Sequence, residues 1–131
     1  MYKELRNVNK IKIPRWLSVH KNADFEIHGF SDALTKAMSA CICLRTFDEN
    51  NCNVNLLIAK TKLTPLKTLT VPRLELCTAY LLAKLLNSIA SELDISEKNV
   101  HLWTDSTIVL SWLNSSPHLW NAFVSHRIAE I

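Results

Sequence analysis

Between Leu74 and Leu93 the chain is apolar almost all the way round a helical wheel, with Leu76, Ala79, Leu81, Leu82, Ala83, Leu85, Leu86 and Ile89 pointing in nearly every direction. A helix without a wide polar face needs cover on more than one side. Pro72 marks its start, because proline suits a first helical turn where its missing N–H would have no partner. The upstream sequence supplies something for such a helix to lie across. Phe25 to Phe30 alternates with period two, Ala37 to Phe47 and Val54 to Ala59 are two further strand patterns, and Asp48-Glu49-Asn50-Asn51 is a strong turn between them. Short connections of this kind predict an antiparallel meander. Downstream, Ser96 to Asn99 is a turn and Val100 to Thr104 a fourth strand, which is entered from the helix and can therefore run parallel to an earlier one. Asp105 is then a suitable N-cap for a helix through about Leu113. Ser116-Pro117 opens another, on which Trp120, Val124, Arg127, Ile128 and Ile131 recur at helical spacing. The predicted order is β-β-β-α-β-α-α, an α/β domain with a mixed sheet and packed helices.

Composition fits one such domain. The chain has 131 residues, 48% of them apolar and 21% charged, which is enough to bury a core and argues against disorder. Residues 1–20 are basic and irregular and read as an arm or linker, leaving 21–131 as the domain. A net charge of +3 permits a nucleic-acid partner without demonstrating one. Gly29 is the single glycine, which makes folds that depend on Gly-rich phosphate loops or Gly-bearing tight turns poor candidates. The four cysteines, Cys41, Cys43, Cys52 and Cys77, contain no Cys-x-x-Cys pair and read as reduced thiols, mostly buried. Cys41 and Cys43 share a strand face, but with His28 and Cys52 they have the wrong spacing for a zinc ribbon or finger. The tryptophans, Trp16, Trp103, Trp112 and Trp120, read mostly as core. No run of about eighteen apolar residues and no signal-peptide core is present, so the expectation is a soluble, intracellular protein that is neither secreted nor in a membrane.

Three acids then stand out. Asp32, Glu75 and Asp105 are each flanked by apolar residues at the border of a predicted element. A carboxylate withdrawn from water costs several kcal/mol unless something positive meets it. If the first and fourth strands are parallel neighbours, Asp32 and Asp105, each just past a strand end, open at the same sheet edge. Glu75, in the first turn of the long helix, heads the stripe Ala79, Leu82, Leu86 that must face the sheet. Oxygen ligands from three elements suit Mg²⁺ or Mn²⁺, and a pair of such ions is the device of phosphodiester hydrolysis. Each acid also has a plainer reading: Asp105 as a cap, Glu75 as a first-turn acid favoured by the helix dipole, Asp32 as a turn residue. Lys60, Lys62, Lys67 and Arg73 form a basic loop beside Glu75, either simply solvated or touching phosphate backbone. His126 is a surface or substrate-facing residue.

Four segments carry a resemblance. Phe30-Ser31-Asp32-Ala33, Leu66-Lys67-Thr68-Leu69-Thr70-Val71-Pro72-Arg73-Leu74-Glu75-Leu76-Cys77, Trp103-Thr104-Asp105-Ser106 and the stretch from Phe123 to Ile131 resemble the RNase H-like region of BEL/Pao-type LTR retrotransposon polyproteins. That region also goes under the label of a Pao retrotransposon peptidase family. The resemblance implies an RNase H fold following a reverse transcriptase in a polyprotein, working in the cytoplasmic particle of the element. It implies hydrolysis of the RNA strand of an RNA·DNA hybrid with two Mg²⁺ or Mn²⁺ ions, for which Asp32, Glu75 and Asp105 would be the first three ligands. The family pattern continues with a further strand, a fourth carboxylate and a C-terminal helix. Because this sequence stops at Ile131, the expectation is a domain lacking them, with weak activity or none alone. Leu34 stands where the pattern has a small polar residue. Two other classes stay open: a non-catalytic module that positions nucleic acid, or a decayed remnant of the element. An aspartic peptidase is disfavoured, since Asp32 and Asp105 both lack the Asp-Thr/Ser-Gly signature and one glycine cannot build its turns.

Overall fold

The structure, a computed structural model, describes residues 24–64, 69–93 and 95–131. The predicted arm at 1–20, with Trp16, lies outside the described residues, as does Lys67. Strands β1 (Asp24–Ala33), β2 (Ala37–Asp48) and β3 (Asn51–Leu63) are followed by helix α1 (Val71–Leu93), strand β4 (Val100–Trp103) and helices α2 (Thr107–Leu113) and α3 (Ala122–Glu130). Single 3₁₀ turns at Glu97–Asn99 and Pro117–Leu119 lead into β4 and towards α3. The element order is the one the sequence predicts. The sheet runs β3-β2-β1-β4, with β1 antiparallel to β2, β2 antiparallel to β3, and β4 parallel to β1. The mixed sheet follows from the connections: tight turns can only reverse the chain, whereas α1 carries it across to start a parallel strand.

One face of the sheet is closed by α1. Ile27, Gly29 and Ser31 on β1 and Met38, Ala40, Ile42, Leu44 and Thr46 on β2 are buried in strict alternation, as a half-covered strand requires. Ile27, Ala40, Ile42 and Leu44 pack with Leu81, Leu82 and Leu85 of α1. A register shift between Ile42 and Cys43 puts an extra residue in β3, and the consecutive Leu57 and Ile58 both reach this cluster. The other flank of α1 is buried too: Leu76 and Ala79 pack with Val109 of α2 and Val124 and Ile128 of α3. Sheet on one side and helices on the other account for the all-round apolar helix. At about 1.5–3 kcal/mol for each fully buried Leu, Ile or Val, α1 is the centre of the fold's stability.

Several expectations need correction. β1 runs to Ala33, so Asp32 lies within the strand, paired with Ser39, and not in a turn. β3 extends to Leu63, which turns Lys60 and Lys62 from loop residues into strand residues. α1 begins at Val71, so Glu75 is in its second turn, and the first turn holds no acid. The N-cap of α2 is Ser106, which has extended backbone angles and accepts from the Val109 N–H; it is not Asp105. Asn121, beyond the Ser116-Pro117 turn, caps α3 by accepting from Val124 N. Trp103 is 53% exposed and Trp120 37% exposed, so neither is core; β4 is an edge strand, and Trp103 lies on the sheet face opposite α1. The cysteines are free, as expected, but Cys41, Cys43 and Cys77 are half-buried and Cys52 exposed, not buried.

Candidate functional site

The parallel pair β1–β4 aligns two of the acids. Their last paired positions are Phe30 and Trp103, and Asp32 and Asp105 each stand two residues further on, at the same end of the sheet. Both are exposed, and neither carboxylate has a hydrogen-bond or ion-pair partner among the described residues. Glu75 approaches from α1. Its Oε2 accepts a 2.5 Å hydrogen bond from the Oγ of Ser106, the residue after Asp105. The Ser106 hydroxyl accepts in turn from Val109 N at 3.2 Å, and the Ser106 N–H donates to Thr104 Oγ1 at 3.2 Å. The β4–α2 junction is therefore a tightly bonded knot with Glu75 tied into it. None of the plainer roles holds: Asp105 does not cap, Asp32 does not turn, and Glu75 sits beyond the first turn in which the helix dipole acts.

Alignment is not yet a ligand cage. Among the described residues no three His, Cys, Asp or Glu side chains form a group that could hold a metal ion. The fold brings Glu75 to the neighbour of Asp105 and puts Asp32 level with Asp105, without closing all three on one point. The donors are carboxylate oxygens only, the kind a hard divalent ion prefers; Asp32 and Asp105 are exposed, and Glu75 is half-buried with Oε2 already bonded to Ser106.

A second network holds β4 to β1. The Trp103 Nε1–H donates to His28 Nδ1 at 3.2 Å, and His28 Nε2 lies 3.0 Å from Glu26 Oε2. Because an indole N–H can only donate, Nδ1 must be bare and Nε2 must carry the proton given to Glu26. The His28 ring also stacks on His101 at 5.0 Å. Arg45 Nη1 reaches the same Glu26 oxygen at 3.3 Å from β2. The hydrogen bond from His28 holds the Glu26 carboxyl below its ordinary range, and the Arg45 charge adds to this against a counteracting burial effect. These side chains sit on the register that aligns Asp32 with Asp105.

The described basic residues, Lys60, Lys62 and Arg73, do not gather as one cluster. Lys60 and Lys62 pair with Ala40 and Met38, on the helix-bearing side of β3. β3 is the far edge from β4, three strand spacings or roughly 14 Å away. Arg73 is nearer, two residues before Glu75, with its guanidinium 5.1 Å from the centre of the Phe123 ring. Arg127 covers the same ring at 3.8 Å. Thr70, Pro72, Arg73, Ile108, Trp112 and Trp120 line an open apolar hollow at the start of α1. His126 is exposed on α3. Sequence reasoning missed Ser106, although the signal was present: Asp105 and Ser106 are both cap formers, and only Ser106 stands three residues before the buried Val109.

A four-stranded mixed sheet crossed by one long helix, with carboxylates at the ends of its two parallel strands, defines an RNase H-like α/β domain. The model of the Pao retrotransposon-like RNaseH-like domain matches residues 1–106 of the 131, and the chain belongs to that family. The match spans all three acids and Ser106. No curated protein and no solved structure matches the chain. No helix among the described residues is long and apolar enough to cross a membrane.

Proposed function

We propose that this domain, as part of a retrotransposon polyprotein, hydrolyses the RNA strand of RNA·DNA hybrids, with Asp32, Glu75 and Asp105 holding two Mg²⁺ or Mn²⁺ ions. The observation that carries the reading is the matched position of Asp32 and Asp105 beyond the Phe30–Trp103 pair, with Glu75 bound to the adjoining residue. Two divalent ions in such a site supply an activated water and neutralise charge on the leaving oxygen. The protein's own part is placement. Asp32 and Asp105 offer unpaired oxygens from a rigid parallel pair, and Glu75 is fixed by Ser106. Arg73 meets the phosphate backbone beside the acids, Lys60 and Lys62 meet it further out on β3, and Lys67 is assigned the same role from its place in the sequence alone. Contacts of this kind read the shape and backbone of a hybrid, not its base sequence. The adjoining reverse transcriptase supplies the hybrid, which places the reaction inside the cell, in the cytoplasmic particle of the element.

The test is cleavage of a labelled hybrid by the domain within its polyprotein. Asp105→Asn is expected to lower the Mg²⁺-dependent rate about a thousandfold, matching the several kcal/mol a metal site contributes. Undiminished cleavage by that variant overturns the assignment. One observation favours a second reading: the acids do not form a closed ligand group. In that case the domain only positions nucleic acid for the polymerase, and the polyprotein binds hybrid tightly without cutting it.

A further inference from the structure

We propose that Ser106 is the positioning residue of this site, setting the orientation of Glu75 and the start of α2 through one hydroxyl. The inference rests on the reading of Glu75 and its two partners as metal ligands. Ser106 is only 5% exposed, and Val109, whose N–H it accepts, is fully buried in one cluster with Leu76, the residue after Glu75. A serine hydroxyl has one proton to give and two lone pairs. Here the proton goes to Glu75 Oε2, and a lone pair takes the Val109 N–H. The bond to Val109 is buried and the bond to Glu75 half-buried. The cap satisfies a helix N–H that has no partner within the helix, and the bond to a carboxylate is of the stronger, charge-assisted kind.

The consequence lies in what is left over. A glutamate side chain free in solution samples many rotamers and must lose them when it binds an ion. With Oε2 fixed, Glu75 has already lost them, and Oε1 has no partner among the described residues. The same hydroxyl anchors the residue next to Asp105. Movement of the β4–α2 junction would therefore carry Glu75 with it, so two ligands on different elements are set by one bond. Groups that orient a ligand in this way are worth tenfold to a hundredfold in metal affinity.

Three substitutions separate this role from capping. Ser106→Thr keeps donor and acceptor. Ser106→Ala loses both. Ser106→Gly loses the hydroxyl, but glycine is itself a good N-cap and keeps most of the helix-start preference. The full chain is titrated with Mn²⁺, followed by electron paramagnetic resonance, and the Glu75 rotamer is read from three-bond couplings in the metal-free protein. The expected result is a single Glu75 rotamer and unchanged Mn²⁺ affinity for wild type and Ser106→Thr. Ser106→Gly should melt near wild type, average its Glu75 rotamers and bind Mn²⁺ at least tenfold more weakly. Thermal unfolding shows whether Ser106→Ala has lost the fold, in which case the glycine and threonine variants decide. Mn²⁺ affinity or Glu75 order unchanged in Ser106→Gly overturns this proposal alone. A wild-type chain that takes up no Mn²⁺ overturns it together with the metal-ligand reading on which it rests.

Discussion

Space, not backbone freedom, accounts for Gly29, the one glycine of the chain. A Cβ there would lie 2.7 Å from Leu102 Cδ2 and 2.8 Å from Leu82 Cδ1. Leu102 is partly exposed and can yield, but Leu82 is 2% exposed in the packed core between sheet and α1. Gly29→Ala is expected to cost about 1–3 kcal/mol, as overpacking does, seen as a lower urea midpoint with an unchanged slope. An unchanged midpoint would mean that α1 can lift off β1 freely. In the sequence this glycine could only argue against phosphate loops, because the close approach of α1 is a long-range fact. The acids show the same limit at residue scale. Asp105 and Ser106 are equally good caps on paper, and which of them caps was decided by the fit of Val109 beneath α2.

At the scale of elements, α1 was legible from its apolar content alone, since nothing but a doubly covered helix accommodates it. β3 was not. Its pattern covers Val54 to Ala59, whereas the strand spans Asn51–Leu63, because Asn53, Asn55, Lys60 and Lys62 are poor strand formers held in place by pairing with β2. That pairing moved the two lysines out of the expected loop and away from Glu75. α2 is the opposite case, a seven-residue helix too short to persist alone. It stands on its Ser106 cap and on Val109, which is fully buried between α1 and α3. Val109→Ala should therefore cost about 2 kcal/mol, within the range for cavities left in a core. Hydrogen exchange should show the loss first at α2, whose amides then exchange ahead of those of α1. Simultaneous loss of protection in both helices would show that α2 and α3 unfold only together with the sheet.

The whole molecule depends on how firmly β4 is held, since it is a four-residue edge strand and the element that brings Asp105 level with Asp32. Its tie to the rest on the sheet face opposite α1 runs Trp103, His28, Glu26, Arg45, across β4, β1 and β2. The sequence could not show this chain, because its members are scattered from position 26 to 103 and meet only once the parallel register is set. The alignment of the two acids was legible as a condition, that the strands be parallel neighbours; the means of holding that alignment was not. The tie predicts a pH dependence. In the folded state the Glu26 carboxyl is held below its ordinary value of 4.5, chiefly by the hydrogen bond from His28. A carboxyl lowered on folding releases its proton more readily when native, so it contributes stability that is complete above the unfolded value and is lost as pH falls through the folded one. Thermal unfolding of wild type and Glu26→Gln should then differ most at and above pH 5, with wild type the more stable. The two curves should converge as the pH is lowered below 4.5 through the folded value. Because Trp103 donates to the same imidazole, its fluorescence should report the loosening of β4 over that window in wild type, and the glutamine variant should show a smaller change. A constant gap between the two proteins down to the lowest pH would mean that Glu26 stabilises the sheet by packing and not by its charge.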